Sequence, residues 1–214
     1  MTQEQTPPTL SFQLLGNWSR LDLVNEESLA QSVRDYVRDW LGGADADAKA
    51  RSLLRARLTQ ALTTAREAGG SAAFLATEIT PGTPMPVMLT IYSPRDLRMT
   101  PAIGSDPEVV ATMLRTGLER LGVEGVETAV SMGIDGSAIL RIVREQVEPV
   151  HPDVPDQQLT NLVADYWYTV PGTKQVVLAN FATPLADIPE IMLSFFDATV
   201  RASYFTAPAL SASA

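Results

Sequence analysis

The chain has 214 residues, 45% hydrophobic and 19% charged, with a formal net charge of −9. That length and apolar content describe one globular domain with a full core, and the acidity excludes a general nucleic-acid binder, which needs a basic surface to displace counterions. With no cysteine and a single histidine, His151, disulfides, thiolate nucleophiles, zinc–thiolate and iron–sulfur centres, and sites needing two imidazoles are excluded as well. The charge is uneven: residues 1–100 hold 11 acids and 10 bases, whereas residues 101–214 hold 14 acids and 6 bases. The N-terminus lacks the basic and apolar regions of a signal peptide, and no apolar run reaches the ~18–20 residues of a membrane span. The expected compartment is the cytoplasm.

Residues 1–9 are short, polar and uncapped, and are expected to fray. Leu10 to Leu15 alternates as a strand, and Gly16-Asn17 turns the chain into a second strand over Trp18–Leu23. Asn25 then caps a first helix, with Glu26 and Glu27 at the positive end of its dipole and Val24 placed to staple onto Leu29. Leu29, Val33, Tyr36, Val37, Trp40 and Leu41 recur at helical spacing, and Gly42-Gly43 stops the helix. A second helix runs from about Asp47 to Ala68, with Leu53, Leu54, Leu58, Ala61, Leu62 and Ala65 on one face. The short connection makes the pair an antiparallel helical hairpin.

Strands follow over Ser71–Ile79 and Met85–Tyr92. Ser105-Asp106-Pro107-Glu108 reads as a capping box opening a third helix, with Val109, Val110, Met113, Leu114, Leu118 and Leu121 expected inside. Gly125–Met132 and Ala138–Val147 form a hairpin across Asp135-Gly136, and Glu148–Asp156, with three prolines, reads as an irregular loop. Asp165–Val170 and Gln175–Ala182 are β-branched and aromatic strands flanking Pro171-Gly172, the signature of a type II turn. A last helix, capped at Asp187-Ile188-Pro189-Glu190, carries Ile188, Ile191, Met192, Phe195, Phe196 and Val200. The tail, 207–214, is expected to be flexible. The short connections make the strands antiparallel, so the fold class is α/β (α+β): a central antiparallel sheet flanked by amphipathic helices, in a single domain over 10–206.

The stretch Ser11–Trp18, the late hairpin through Tyr166-Trp167-Tyr168-Thr169-Val170-Pro171-Gly172 and Val176–Pro184, and a final helix with Phe195-Phe196-Asp197 resemble the PsbP-like superfamily. That group contains photosystem extrinsic subunits, a nuclear-import factor and bacterial proteins of unknown function. Gly16-Asn17 replaces the proline common before the tryptophan, and the helical hairpin is large for the group. The resemblance implies a fold and no shared catalytic residues.

Chemistry-bearing motifs are sparse. The second helix carries Lys49, Arg51, Arg55, Arg57 and Arg66 with no acid between Asp47 and Glu67. At 100° per residue Arg51, Arg55 and Arg66 share one flank. In an acidic chain this stripe is the candidate docking surface for an acidic protein partner, weighed against a plain solvated face. Trp40-Leu41-Gly42 resembles the W-x-G turn of type VII secretion substrates, but a packed tryptophan and a glycine C-cap explain it. His151 beside Asp153 is a conceivable acid–base pair in a proline-rich loop, without a G-x-S-x-G nucleophile. Asp45 with Asp47, and Glu145 with Glu148, lack a calcium-loop arrangement, and no phosphate-loop or dinucleotide fingerprint occurs. Neither cofactor nor metal is expected. Two functions follow: a binding or adaptor module working through surface protein contacts, or a small-molecule binding protein or hydrolase with a pocket between the sheet and the helical hairpin. A cavity above roughly 300 Å³ with converging polar groups favours the second.

Overall fold

Thr173 N–H donates to the Val170 carbonyl at 3.1 Å across Pro171-Gly172, and Gly172 takes φ 70°, the left-handed value a type II turn requires. This turn sits in a computed structural model that describes residues 8–42, 48–80, 82–94, 97, 104–151 and 154–206. Among these the chain order is β1 (Thr9–Ser11), β2 (Asn17–Leu21), α1 (Glu26–Leu41), α2 (Ala48–Glu67), β3 (Gly70–Thr80), β4 (Thr83–Tyr92), α3 (Pro107–Arg120), β5 (Val130–Ile134), β6 (Ser137–His151), β7 (Val154–Thr169), β8 (Val176–Thr183), α4 (Pro189–Arg201) and β9 (Tyr204–Thr206). Seven strands form one sheet in the order β2-β3-β4-β8-β7-β6-β5, with every neighbouring pair antiparallel. β1 and β9 make a separate two-stranded ribbon.

Side chains alternate across the sheet, and β7 shows both faces. Tyr166 and Tyr168 point to one side, where α4 lays Met192, Phe196 and Val200 against Leu89, Ala164 and Phe181. Phe181 and Phe196 stack with centroids 4.8 Å apart. The opposite face is covered in two pieces. At one end α1 and α2 pack over β2 and β3 through Leu21, Leu29, Val33, Val37, Leu62 and Ala73. At the other, α3 sets Val110, Leu114 and Leu118 on Leu140 and Ile142 of β6.

The caps explain several departures from expectation. Asn25 does cap α1, its Oδ1 accepting from Ser28 N–H at 2.9 Å. The staple does not form: Val24 is 78% exposed. Asp106, not Ser105, caps α3, accepting from Glu108 and Val109 N–H. Proline favours the first helical position, which makes the residue just before Pro107 the cap. The same rule at Pro189 puts Ile188 at the N-cap of α4, with no side-chain bond from Asp187 or any other residue.

The helices bury fewer residues than their patterns suggest. Val109, Met113 and Leu121 of the α3 region stay exposed, as do Ile188 and Ile191 at the start of α4. Trp40 is 51% exposed, set against Tyr36 with ring centroids 5.9 Å apart. Leu53 and Ala61 of α2 are also exposed, because α2 buries only Leu62 and Ala65 fully.

Three backbone expectations change. Residues 12–15 do not continue the first strand: β1 ends at Ser11, since its only partner β9 has three residues. Val126–Thr128 is a single 3-10 turn rather than strand. Most substantially, residues 148–151 and 154–156 are strand rather than loop. β6 and β7 continue as a two-stranded arm past the sheet, with Glu148 opposite Leu159, Pro149 opposite Gln158 and His151 opposite Val154. Beyond Arg141 β6 has lost β5, and before Leu162 β7 has not yet met β8. Each arm strand therefore has one open edge, where a proline's missing N–H costs nothing. Thr9 is likewise ordered in β1, while residues 1–7 and 207–214 lie outside the described residues. Gly16 has φ +92°, and a Cβ there would stand 2.7 Å from the Ile79 carbonyl oxygen, so the turn into β2 demands glycine.

Candidate functional site

The gap between the two helical covers exposes the middle of the sheet as a cleft of about 600 Å³. Its floor is set by strand register. One row runs Met88, Ala182, Val163, Arg144 across β4, β8, β7 and β6; the next runs Thr90, Asn180, Asp165; a third runs Tyr92, Leu178, Trp167. The outer rows are largely apolar or aromatic and the middle row is polar. Ala61 and Ala68 of the α2 region stand along one side. A smaller hollow of about 480 Å³, lined by Arg57, Gln60, Pro149 and Leu159, shares Ala61 and Glu148 with it along the β6–β7 arm.

Asp165 is buried at the centre of the middle row. Asn180 Nδ2 donates to its Oδ1 at 2.6 Å, and Arg144, reaching diagonally from the neighbouring row, donates to its Oδ2. The carboxylate is thus fixed from both sides, as a buried charge requires. Burial, and next the Asp165 charge, raise the pKa of the Tyr92 phenol, while the Thr90 hydroxyl lowers it; the net shift is upward, so Tyr92 is a neutral donor at the cleft wall. Thr90 Oγ1 itself is buried without a hydrogen bond of ordinary geometry.

A second charged cluster lies on the other face. Tyr166 Oη donates to Asp197 Oδ1 at 2.7 Å and Arg141 to Oδ2 at 2.5 Å, fastening α4 to the sheet. Burial, then the Asp197 hydrogen bond and charge, push the Tyr166 phenol far above its ordinary value.

The basic stripe is separate from the cleft. Arg51 donates to the Gly42 carbonyl at 3.3 Å, at the C-terminus of α1, a favourable place for a cation. Arg55 is exposed and Arg66 half-buried, the latter beside a hollow lined by Leu23, Gly69 and Leu97. None of the three lines the cleft. Glu145 and Glu148, three apart on β6, fall on opposite faces and cannot share a cation. Asp45, Asp47 and Asp153 lie outside the described residues, and no cluster of metal-ligating groups occurs among the described ones. No helix there is long and apolar enough to cross a membrane.

Arg144, Asp165, Asn180 and Tyr92 belong to no sequence motif. The available signal is positional: Val163-Asp165-Trp167 and Leu178-Asn180-Ala182 are same-face triplets of two adjacent apolar strands, each with a polar residue in the middle. Within Tyr166-Trp167-Tyr168 the side chains divide: both tyrosines are buried on the α4 side of the sheet while Trp167 faces the cleft. Comparison with protein-family models, curated proteins and solved structures yields no match.

Proposed function

We propose that this chain is a binding protein that holds a small molecule in the cleft on the middle of its sheet. One observation carries this: a mutually fixed polar set, buried Asp165 with half-buried Arg144 and Asn180, lies at the floor of a cleft of about 600 Å³ between largely apolar and aromatic rows, with Gln146, Glu148 and Asn161 toward the β6–β7 arm. Preformed cavities of a few hundred Å³ with few, oriented polar groups are the usual form of small-molecule sites. The basic stripe offers less, since of Arg51, Arg55 and Arg66 only Arg55 is exposed. Docking of an acidic protein on that flank is the second reading, supported by the absence of acids from the first turn of α2. For the architecture we infer a PsbP-like arrangement with α1 and α2 as a helical hairpin, supported by the all-antiparallel sheet and the helix that follows its late hairpin.

The test uses Ala61→Trp, an exposed position on the cleft wall where a large side chain fills the cleft without disturbing the core. A small-molecule library is screened by thermal shift against both proteins. Compounds that raise the wild-type Tm and leave the variant's unchanged are the expected result. A library with no such compound overturns the reading.

A further inference from the structure

The polar centre of the cleft cancels its own charge. Asp165 brings one negative charge and Arg144 one positive, and a hydrogen bond holds them together. A ligand anion set on the guanidinium would face the carboxylate beside it, and a ligand cation set on Asp165 would face Arg144. Either leaves a like-charge contact in a site partly shielded from water, where such contacts are costly.

Both partners keep hydrogen-bonding capacity. A carboxylate oxygen accepts at two positions, and Arg144 and Asn180 take one on each oxygen of Asp165. Guanidinium has five N–H groups, and the Arg144 side chain is 27% exposed. The pair therefore presents an acceptor and a donor side by side without net charge. Met88, Ala182 and Val163 on one side of it, and Leu178, Trp167 and Tyr92 on the other, suit the faces of a flat ring. Glu148 is exposed at the rim, where solvent screens its charge.

Resting on the cleft reading, we propose that the occupant is an uncharged planar heterocycle with a lactam-type edge, its N–H directed to Asp165, its C=O to Arg144 and its ring along Trp167 and Leu178. The complementarity has the form of amide-edge recognition, in which a missing donor or acceptor leaves a buried group unpaired and so rejects analogues strongly.

Three bicyclic probes of matched size test this: isoquinolinone, which is a neutral lactam, naphthoate, an anion, and naphthylmethylamine, a cation. Isoquinolinone at about five times its Kd is expected to raise Tm by about 2–4 °C, and the shift should vanish in Ala61→Trp. Both charged probes should bind the wild type at least about 10-fold more weakly. Asp165→Asn leaves the Arg144 charge unbalanced and should turn the preference to naphthoate; Arg144→Met should turn it to naphthylmethylamine. A merely structural ion pair would move stability in these variants but not the order of preference. If a charged probe binds the wild type as tightly as isoquinolinone, and Ala61→Trp blocks it, the lactam class is overturned and the cleft reading stands. The class is overturned equally if none of the probes binds. Shifts that persist in Ala61→Trp overturn the cleft reading itself. Should the charge variants fail to fold, the wild-type panel with Ala61→Trp still decides.

Discussion

Arg141 and Arg144 stand three residues apart on β6 and so point to opposite faces of the sheet. Arg141 meets Asp197 of α4, joined there by Tyr166, beneath that helix. Arg144 meets Asp165 of the adjacent strand, joined by Asn180, where the cover is interrupted. The first cluster ties a helix to the sheet across 56 residues of sequence, so its geometry is part of the fold. The second links neighbouring strands that already pair through their backbones and adds little to topology. A charged pair whose desolvation is not needed to place any element is better explained by what it faces, which is the cleft.

The largest effect should come from the closed face. Phe196 is fully buried against Phe181, and Phe196→Ala is expected to cost about 3–5 kcal/mol by denaturant titration. Leu178→Ala, half-buried at the cleft, should cost only about 1 kcal/mol. Equal losses would mean that the two faces are packed alike and that the cleft is ordinary core. The charged clusters give the next contrast. Asp197→Asn leaves Arg141 and Tyr166 facing an amide and should cost ~2–3 kcal/mol. Asp165→Asn should cost about 1–2 kcal/mol, because Arg144 can turn toward water in the cleft. A reversed order of these losses would make the Asp165 pair the structural one.

Alkaline titration tests the seal of the closed face by another route. Tyr166 and Tyr168, both on the closed face, have pKa values raised chiefly by burial above the ordinary 10.0. A group whose folded pKa is raised holds its proton more tightly in the folded state, so its stabilisation is complete below about pH 10 and is lost as pH climbs above that value. Stability should therefore fall above about pH 10, and phenolate absorbance from these tyrosines should appear together with unfolding. Their ionisation in the folded protein, ahead of unfolding, would mean that α4 does not seal that face. Tyr166→Phe removes one of these groups and should flatten the alkaline decline.

Much of the fold was readable because local signals agreed. Pro171-Gly172 between aromatic strands, Asn25 before an amphipathic helix, and Asp135-Gly136 between apolar runs each point to one structure. The reading failed where a long-range partner decides. β1 depends on β9, at the opposite end of the chain, and the β6–β7 arm hides behind Pro149 and Pro155, which signal a loop unless one knows that those strand edges are open. The cleft left only a trace in the sequence. Asp165 marks it within an apolar strand, but Arg144 joins through a diagonal contact that no spacing within one element reveals. The basic flank of α2 had the opposite character, conspicuous in sequence and dispersed in structure.

That flank gives the smallest expected effect. Charge reversal at Arg51, Arg55 and Arg66 replaces one exposed and two half-buried cations and removes the 3.3 Å bond from Arg51 to the Gly42 carbonyl. Surface charges of this kind contribute about 0–1 kcal/mol, so Tm should fall by no more than a few degrees. Since none of the three lines the cleft, binding of isoquinolinone should be unchanged, and a loss of that binding would show the two regions to be coupled. The docking reading makes a different demand on the same variant. A stripe that receives an acidic partner should bind a poly-glutamate peptide at low salt, weaken as salt is added, and lose the peptide on reversal. If wild type and variant bind poly-glutamate equally, the arginines form a solvated face, and the contrast between a closed face and a ligand-holding face accounts for the molecule without them.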